Sequence, residues 1–242
     1  MTATEPSPLD GARAQTRRPV RVDAGTEVES LLAALGSATI AGVDEVGRGA
    51  WAGPLTVGVA VASARALRRL PKGIRDSKEL SAVQREELFA PVSKSLLAHS
   101  TGHATPDECD RLGLTLAQRL ATERAFAALS MTPDAIIVDG PIDFSQSGAV
   151  CVVDGDRLCV LVAAASVLAK VTRDRLMVQA ADEHSSYGFE RNKGYATLEH
   201  RVAVGRFGLT PIHRATWAVS PIEAESSSEE LTKKEQPDRD QL

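Results

Sequence analysis

The sequence predicts an α/β protein in which helices pack against a sheet. Short β-branched runs come first along the chain, helices and strands then alternate, and acids stand at the carboxyl ends of several strands. Residues 39–46 and 55–61 are apolar or β-branched runs separated by Gly47, Gly49, Gly53 and Pro54, the pattern of a two-stranded hairpin. Residues 81–97 predict a helix that opens on Ser81 and carries acids in its early turns. Residues 97–105 predict a third strand. From Pro106, suited to a helix start, Leu116, Leu120, Ala121, Ala125, Ala128 and Leu129 recur at spacings of three and four, which predicts a helix over 107–130. Residues 135–138 and 150–153 are short buried-strand patterns. Helices are predicted over 161–184 and 197–207, and no internal repeat is present.

Residues 1–24 are rich in Thr, Pro, Ala and Arg without an apolar period, and 221–242 are rich in Ser, Glu and Lys. Both predict disordered extensions flanking one folded domain at 25–220. The formal net charge of −4 would ordinarily argue against a phosphate-rich partner. The last 22 residues, however, hold seven acids against three bases, so the remaining 220 are balanced. The longest apolar run, 160–169, is far short of the roughly 18 residues a membrane helix needs, and the N-terminus lacks the apolar core of a signal peptide. A soluble, unexported, cytoplasmic protein without a membrane partner is expected. Cys109, Cys151 and Cys159 form no C-x-x-C motif and read as reduced packing residues.

The first strand ends in Asp44-Glu45-Val46-Gly47-Arg48-Gly49, two carboxylates against a glycine-rich turn. Strand side chains alternate faces, so both acids serve one site only if the chain bends just after them, as Gly47 and Gly49 permit. The glycine spacing superficially matches a dinucleotide fingerprint, but its last interval is one residue too long, and a proline and a strand follow in place of a helix. Asp139-Gly140 closes another strand, and Asp154-Gly155-Asp156 repeats the device after 150–153. A lone Asp at such a position is usually a turn residue. Several around one sheet edge, where ligand sites gather in α/β folds, point instead to a shared site.

Carboxylates clustered without His or Cys partners suit Mg²⁺ or Mn²⁺ and suit zinc poorly. Two such ions about 4 Å apart support phosphoryl chemistry without a protein nucleophile. Ser166, Lys170 and Asp174 stand at i, i+4 and i+8, a polar stripe on an otherwise apolar helix. Arg48 and Lys78 are candidate phosphate contacts, and Tyr195 could stack on a sugar or base. His200 and His213 lack a metal-like spacing and read as ordinary core or surface residues.

Together these motifs resemble ribonuclease HII, the type 2 ribonuclease H family. The match runs from Asp44 through Gly49, Ala52-Gly53-Pro54, Asp76-Ser77-Lys78-Glu79-Leu80-Ser81 and Val138-Asp139-Gly140 to the run from Ala163 to Asp174 and Asn192-Lys193-Gly194-Tyr195-Ala196-Thr197. It spans residues 40–217 in order. The resemblance implies a ribonuclease H-like fold, a mixed five-stranded sheet flanked by helices. It further implies that Asp44, Glu45, Asp139 and Asp156 are catalytic metal ligands for two Mn²⁺ or Mg²⁺ ions. Asp156 takes the fourth position because it stands ten residues before Ser166, although the family's lysine two residues earlier is Asp154 here.

On the same resemblance Asp174 is an auxiliary acid. Gly47, Arg48 and Gly49 read the ribose 2′-OH, Tyr195 packs on the adjoining deoxyribose, and Lys78, Ser166 and Lys170 complete the substrate site. The expected activity is a monomeric endonuclease that cuts the RNA strand of RNA/DNA hybrids and single ribonucleotides embedded in duplex DNA, leaving 3′-hydroxyl and 5′-phosphate ends. Its role would lie in ribonucleotide removal, replication and repair. A different nuclease of this fold, such as a junction resolvase, and a non-catalytic hybrid-binding module remain open at this point.

Overall fold

The computed structural model describes residues 23–218. The extensions expected at 1–24 and 221–242 lie, but for residues 23 and 24, outside the described residues. The chain opens with α1 (Glu27–Ala34), a helix that the sequence reading did not separate from its surroundings. β1 (Ile40–Val46) and β2 (Leu55–Ala62) then form the expected antiparallel hairpin, with Asp44 opposite Gly58. After the single-turn α2 (Ala64–Leu67), α3 (Ala82–Ser95) begins at a capping box. Ser81 Oγ accepts from the Gln84 amide while Gln84 Oε1 accepts from the Ser81 amide.

β3 (Ala98–Ala104) pairs antiparallel with β2, and α4 (Pro106–Ala127) starts at a second capping box, formed by Thr105 and Glu108. β4 (Ala135–Asp139) and β5 (Val150–Val152) add parallel to β1, in the order β3-β2-β1-β4-β5. The expected mixed five-stranded sheet is therefore present. Because β1, β4 and β5 run the same way, their carboxyl ends share one edge.

After the single-turn α5 (Gly155–Leu158), α6 (Val160–Glu183) crosses one face of the sheet. It buries Leu161, Ala164, Ala165 and Leu168 against Ile40, Ala60 and Ala62. The apolar run at 160–169 is thus core; among the described residues no helix is long and apolar enough to cross a membrane. The helix backbone lies close on the strands. A Cβ at Gly42 would come within 2.2 Å of the Leu161 carbonyl carbon, and one at Gly58 within 2.5 Å of the Ala165 oxygen. On the opposite face α4 places Ala117, Ala121 and Ala125 against Val43, Val57 and Val59.

The single-turn α7 (Phe189–Asn192), α8 (Leu198–Phe207) and α9 (Ala215–Ala218) complete the described chain. Tyr187, Phe189, Ala203 and Val204 build a satellite cluster against Ala52 and Met177. His200 and His213 are buried beside it, their Nε2 atoms 3.0 Å apart. His213 Nδ1 accepts from the Thr210 amide, so its Nε2–H donates to His200. His200 in turn donates through Nδ1 to the Tyr195 carbonyl. Cys109 and Cys159 are packed in the core, whereas Cys151 corrects the expectation of three packing thiols. It lies exposed on the edge strand β5, and the described cysteines form no disulfide.

Candidate active site

Asp44 and Asp139 stand one step beyond the paired Val43 and Val138, so parallel pairing sets their side chains next to each other at the carboxyl edge. Asp139 Oδ1 accepts the Gly155 amide at 2.7 Å, tying β4 to the turn that carries Asp156. In that turn Asp154 takes a left-handed conformation, φ 56°, which Asp tolerates better than most residues. Asp154 is exposed, while Asp156 is 4% exposed and turned inward. The departure from the family's lysine therefore leaves Asp156 as the inward acid. β1 ends at Val46 and the chain swings away at Gly47, φ 85°. Asp44 and Glu45 line the same cavity of about 440 Å³ despite the alternation of strand side chains.

The glycine turn Gly47-Arg48-Gly49 forms one wall of that cavity; Lys78, Ser166, Lys170 and Tyr195 line the rest, with Ser77. All seven substrate-site candidates thus come together. Ser166 Oγ and Ser77 Oγ are hydrogen-bonded at 2.8 Å, Lys78 Nζ lies 3.6 Å from Asp156, and Arg48 lies 3.6 Å from Glu45. Asp174 is placed differently. Its carboxylate is held by Lys170 at 2.7 Å and faces Arg85 at 4.0 Å, and it lines a neighbouring cavity between α3 and α6.

The electrostatics are those of crowded carboxylates. Burial, followed by the charge of Glu45 and then those of Asp139 and Asp156, holds Asp44 well above the usual carboxylate range; a Ser166 hydrogen bond opposes the shift. Burial also raises Glu45, against the pull of Arg48. Asp156 is pushed up to about 6 by burial, Asp76 and Asp139. For Lys78 burial acts downward, yet Asp76, Asp156, Asp44 and Asp139 outweigh it and hold the ammonium above its usual range.

Among the described residues no group of three Asp, Glu, His or Cys side chains is drawn together closely enough to hold a metal ion. The donor chemistry nevertheless fits hard divalent cations. The set is all oxygen and mutually repelling, and burial and neighbouring acids make the charge of Asp44 costly, a cost that a cation would relieve.

Three residues near the site were given no role in the sequence reading. Asp76 adds its charge beside Asp156, and the buried guanidiniums of Arg173 and Arg214 hold the glycine turn from behind. Arg173 was detectable in principle: it is seven residues after Ser166, on the polar stripe that already contains Lys170 and Asp174. Arg214 had no local signal, since nothing near it in sequence marks a polar site.

A mixed five-stranded sheet bearing acids on its carboxyl edge, beside a glycine turn, defines a nuclease of the ribonuclease H-like class. A family model described as Ribonuclease HII matches residues 41–220. Ribonuclease HII of Streptomyces avermitilis is 48% identical over 195 residues, covering 80% of this chain and 82% of its own. That of Ruegeria pomeroyi is 44% identical over 195 residues, covering 79% and 81%. The crystal structure of ribonuclease H2 from Pyrococcus horikoshii superposes with a TM-score of 0.64 at 30% identity, over 81% of this chain and 99% of that one. A ribonuclease HII of Archaeoglobus fulgidus, solved in complex with PCNA, gives 0.62 at 27% identity over 74% and 95%. The chain belongs to the ribonuclease HII family, and it is a hydrolase of the ribonuclease H endonuclease type.

Proposed function

We propose that this chain cuts the RNA strand of RNA/DNA hybrids and also single ribonucleotides embedded in duplex DNA, leaving 3′-hydroxyl and 5′-phosphate ends. The observation that carries this reading is the shared cavity: Asp44 and Glu45, at the carboxyl edge beside Asp139, line the same space as the glycine turn and Tyr195. Asp44, Glu45, Asp139 and Asp156 are the residues that would hold two Mg²⁺ or Mn²⁺ ions. Once held there, such ions would supply activation of water and charge stabilisation at the departing oxygen.

The remaining work falls to this chain's own side chains and amides. The 2′-OH is the group that distinguishes RNA from DNA at one nucleotide, and the turn at 47–49, which lines the cavity with Asp44 and Glu45, offers its amides to read it there. Tyr195, with Lys170 and Arg173 over its ring at 5.6 and 5.3 Å, offers a flat surface to the neighbouring deoxyribose. Arg48, Lys78 and Lys170 orient the phosphates, and the Ser77–Ser166 hydrogen bond holds the floor of the cavity. Asp174 acts as an auxiliary acid through Lys170. The biological role that follows is ribonucleotide removal in replication and repair, by a cytoplasmic monomer.

The test is cleavage of one duplex carrying a single ribonucleotide, compared in Mg²⁺, in Mn²⁺ and in chelator, with an all-DNA duplex alongside. Cleavage at the ribonucleotide in either metal, and none in chelator, is expected. Equal cleavage of the all-DNA duplex would remove the sugar-reading assignment.

A further inference from the structure

Arg173 and Arg214 are both fully buried, and among the described residues neither has a carboxylate within 4 Å. A buried guanidinium is ordinarily paired, because desolvating an unpaired charge is costly. Here the partners are backbone carbonyls. Arg214 donates from Nη1 to Arg48 O at 2.9 Å and from Nη2 to Gly47 O at 2.7 Å and Gly53 O at 3.1 Å. Arg173 donates from Nε to Pro54 O at 2.8 Å, from Nη2 to Ala52 O at 3.0 Å and from Nη1 to Lys193 O at 2.9 Å. Five of these six acceptors lie in the turn at 47–54, and the sixth lies two residues before Tyr195.

The planarity of the trans peptide gives this arrangement a direction. Across each peptide bond the C=O of one residue and the N–H of the next point opposite ways. Drawing the Gly47 and Arg48 carbonyls inward to Arg214 therefore turns the Arg48 and Gly49 amides outward, toward the cavity that Asp44 and Glu45 line. Arg173 acts on the other half of the site. It ties the end of the turn to Lys193, and its guanidinium lies 5.3 Å from the centre of the Tyr195 ring. Direct backbone bonds join the same two segments, from the Trp51 and Ala52 amides to the Gly194 carbonyl at 2.8 and 3.1 Å.

We propose that Arg173 and Arg214 are positioning residues for sugar selection: Arg214 aims the Arg48 and Gly49 amides at the ribose, and Arg173 sets the spacing between that turn and Tyr195. This rests on the sugar-reading function proposed above and names the groups that set its geometry. A single embedded ribonucleotide presents its 2′-OH at one register and requires both halves at their correct spacing. A continuous hybrid presents a 2′-OH at every step and tolerates displacement.

The experiment compares wild type with Arg173→Lys and Arg214→Lys. Lysine keeps the charge but lacks the planar fork that bridges several carbonyls. The readout is kcat/KM on a duplex with one ribonucleotide divided by kcat/KM on a continuous RNA/DNA hybrid. Both values come from one preparation, so the ratio is independent of how much of the protein is folded. A fall of about fivefold or more in each variant is expected, since small misplacements of positioning groups cost large factors in rate.

A smaller change in either ratio overturns the proposal, even if the thermal midpoint falls, because a merely structural arginine would lower both rates together. Should the lysine variants yield no folded protein, Arg173→Gln and Arg214→Gln, which remove the buried charge, take their place under the same criterion. If wild type itself makes no distinction between ribonucleotide-containing and all-DNA duplexes, the function proposed above fails. If wild type does distinguish them and the variants keep its ratio, only the positioning roles fail.

Discussion

Gly47 and Gly49 flank the same arginine, yet the structure requires glycine at only one of them. A Cβ on Gly47 would lie 2.3 Å from Arg173 Nε and 2.8 Å from the Pro54 carbonyl, at φ +85°. A Cβ on Gly49 would meet no atom within 4 Å. Gly47→Ala therefore incurs the left-handed backbone cost of about 1–2 kcal/mol. It also displaces a guanidinium pinned to three carbonyls, and one lost buried hydrogen bond costs about 1–3 kcal/mol. A total of about 3 kcal/mol in a protein of this size lowers the melting temperature by about 6–12 °C. Gly49→Ala should stay within about 0.5 kcal/mol, or roughly 2 °C.

Both variants should lose cleavage at a single ribonucleotide, Gly47→Ala through distortion of the turn and Gly49→Ala because its methyl group stands where the sugar approaches. Circular-dichroism melts and initial cleavage rates on the same preparations separate the two effects. If Gly47→Ala melts within about 2 °C of wild type, or Gly49→Ala falls as far as Gly47→Ala, the account of the turn is wrong.

Three further outcomes follow from other parts of the molecule. Asp139→Asn keeps an Oδ1 acceptor for the Gly155 amide, so folding and duplex binding should persist while cleavage falls about a hundredfold or more; a near-normal rate would withdraw Asp139 as a metal ligand. Glu29 is raised above 4.5 by burial, so as pH climbs from 4.5 through its folded value the unfolded chain ionises first and stability is lost. Glu29→Gln should accordingly match wild type in melting temperature at pH 4.5 and exceed it at pH 8, and an equal or reversed gap at pH 8 would contradict this. His213 is lowered to about 4 by burial and by His200, so as pH falls from 6.5 to 4 the unfolded chain takes up the proton first. The loss over that window is on the order of 3 kcal/mol. His213→Gln should flatten the melting-temperature profile there, and an unchanged profile would show that the pair does not titrate as described.

Much of the fold was legible because its signals are local. The β-branched runs around Gly47 and Pro54 specify a hairpin, Ser81 starts a helix through a side chain that reaches only three residues ahead, and Pro106 suits the first turn of the next. The three-and-four spacing from Leu116 predicts the helix, but its buried face is carried by Ala117, Ala121 and Ala125, and Leu116 itself is exposed. Of the site, the acids at strand ends were legible for the same reason, since a parallel sheet gathers such ends on one edge. The short α1 was not legible, because eight residues carry too little periodicity to stand out. Exposure of Cys151 was equally hidden, since it depends on β5 being an edge strand. Asp174 was correctly placed on the polar stripe, but its engagement by Lys170 and Arg85 in a neighbouring cavity depends on where α3 packs.

The sequence by itself determined the order of elements, the glycine turn and the acids of the carboxyl edge. These follow from periodicity, backbone preference and cap spacing, all of which act within a few residues. Only the tertiary structure decided which buried polar groups meet. Glu29, on a helix near the start of the described chain, accepts the Leu161 amide at 3.0 Å and caps α6, whose own N-cap, Cys159, makes no side-chain bond. Arg214 reaches back 167 residues to the Gly47 carbonyl, and Asp156 rather than Asp154 turns inward. A buried donor or acceptor must find a partner wherever the chain happens to cross, and no local pattern specifies that crossing.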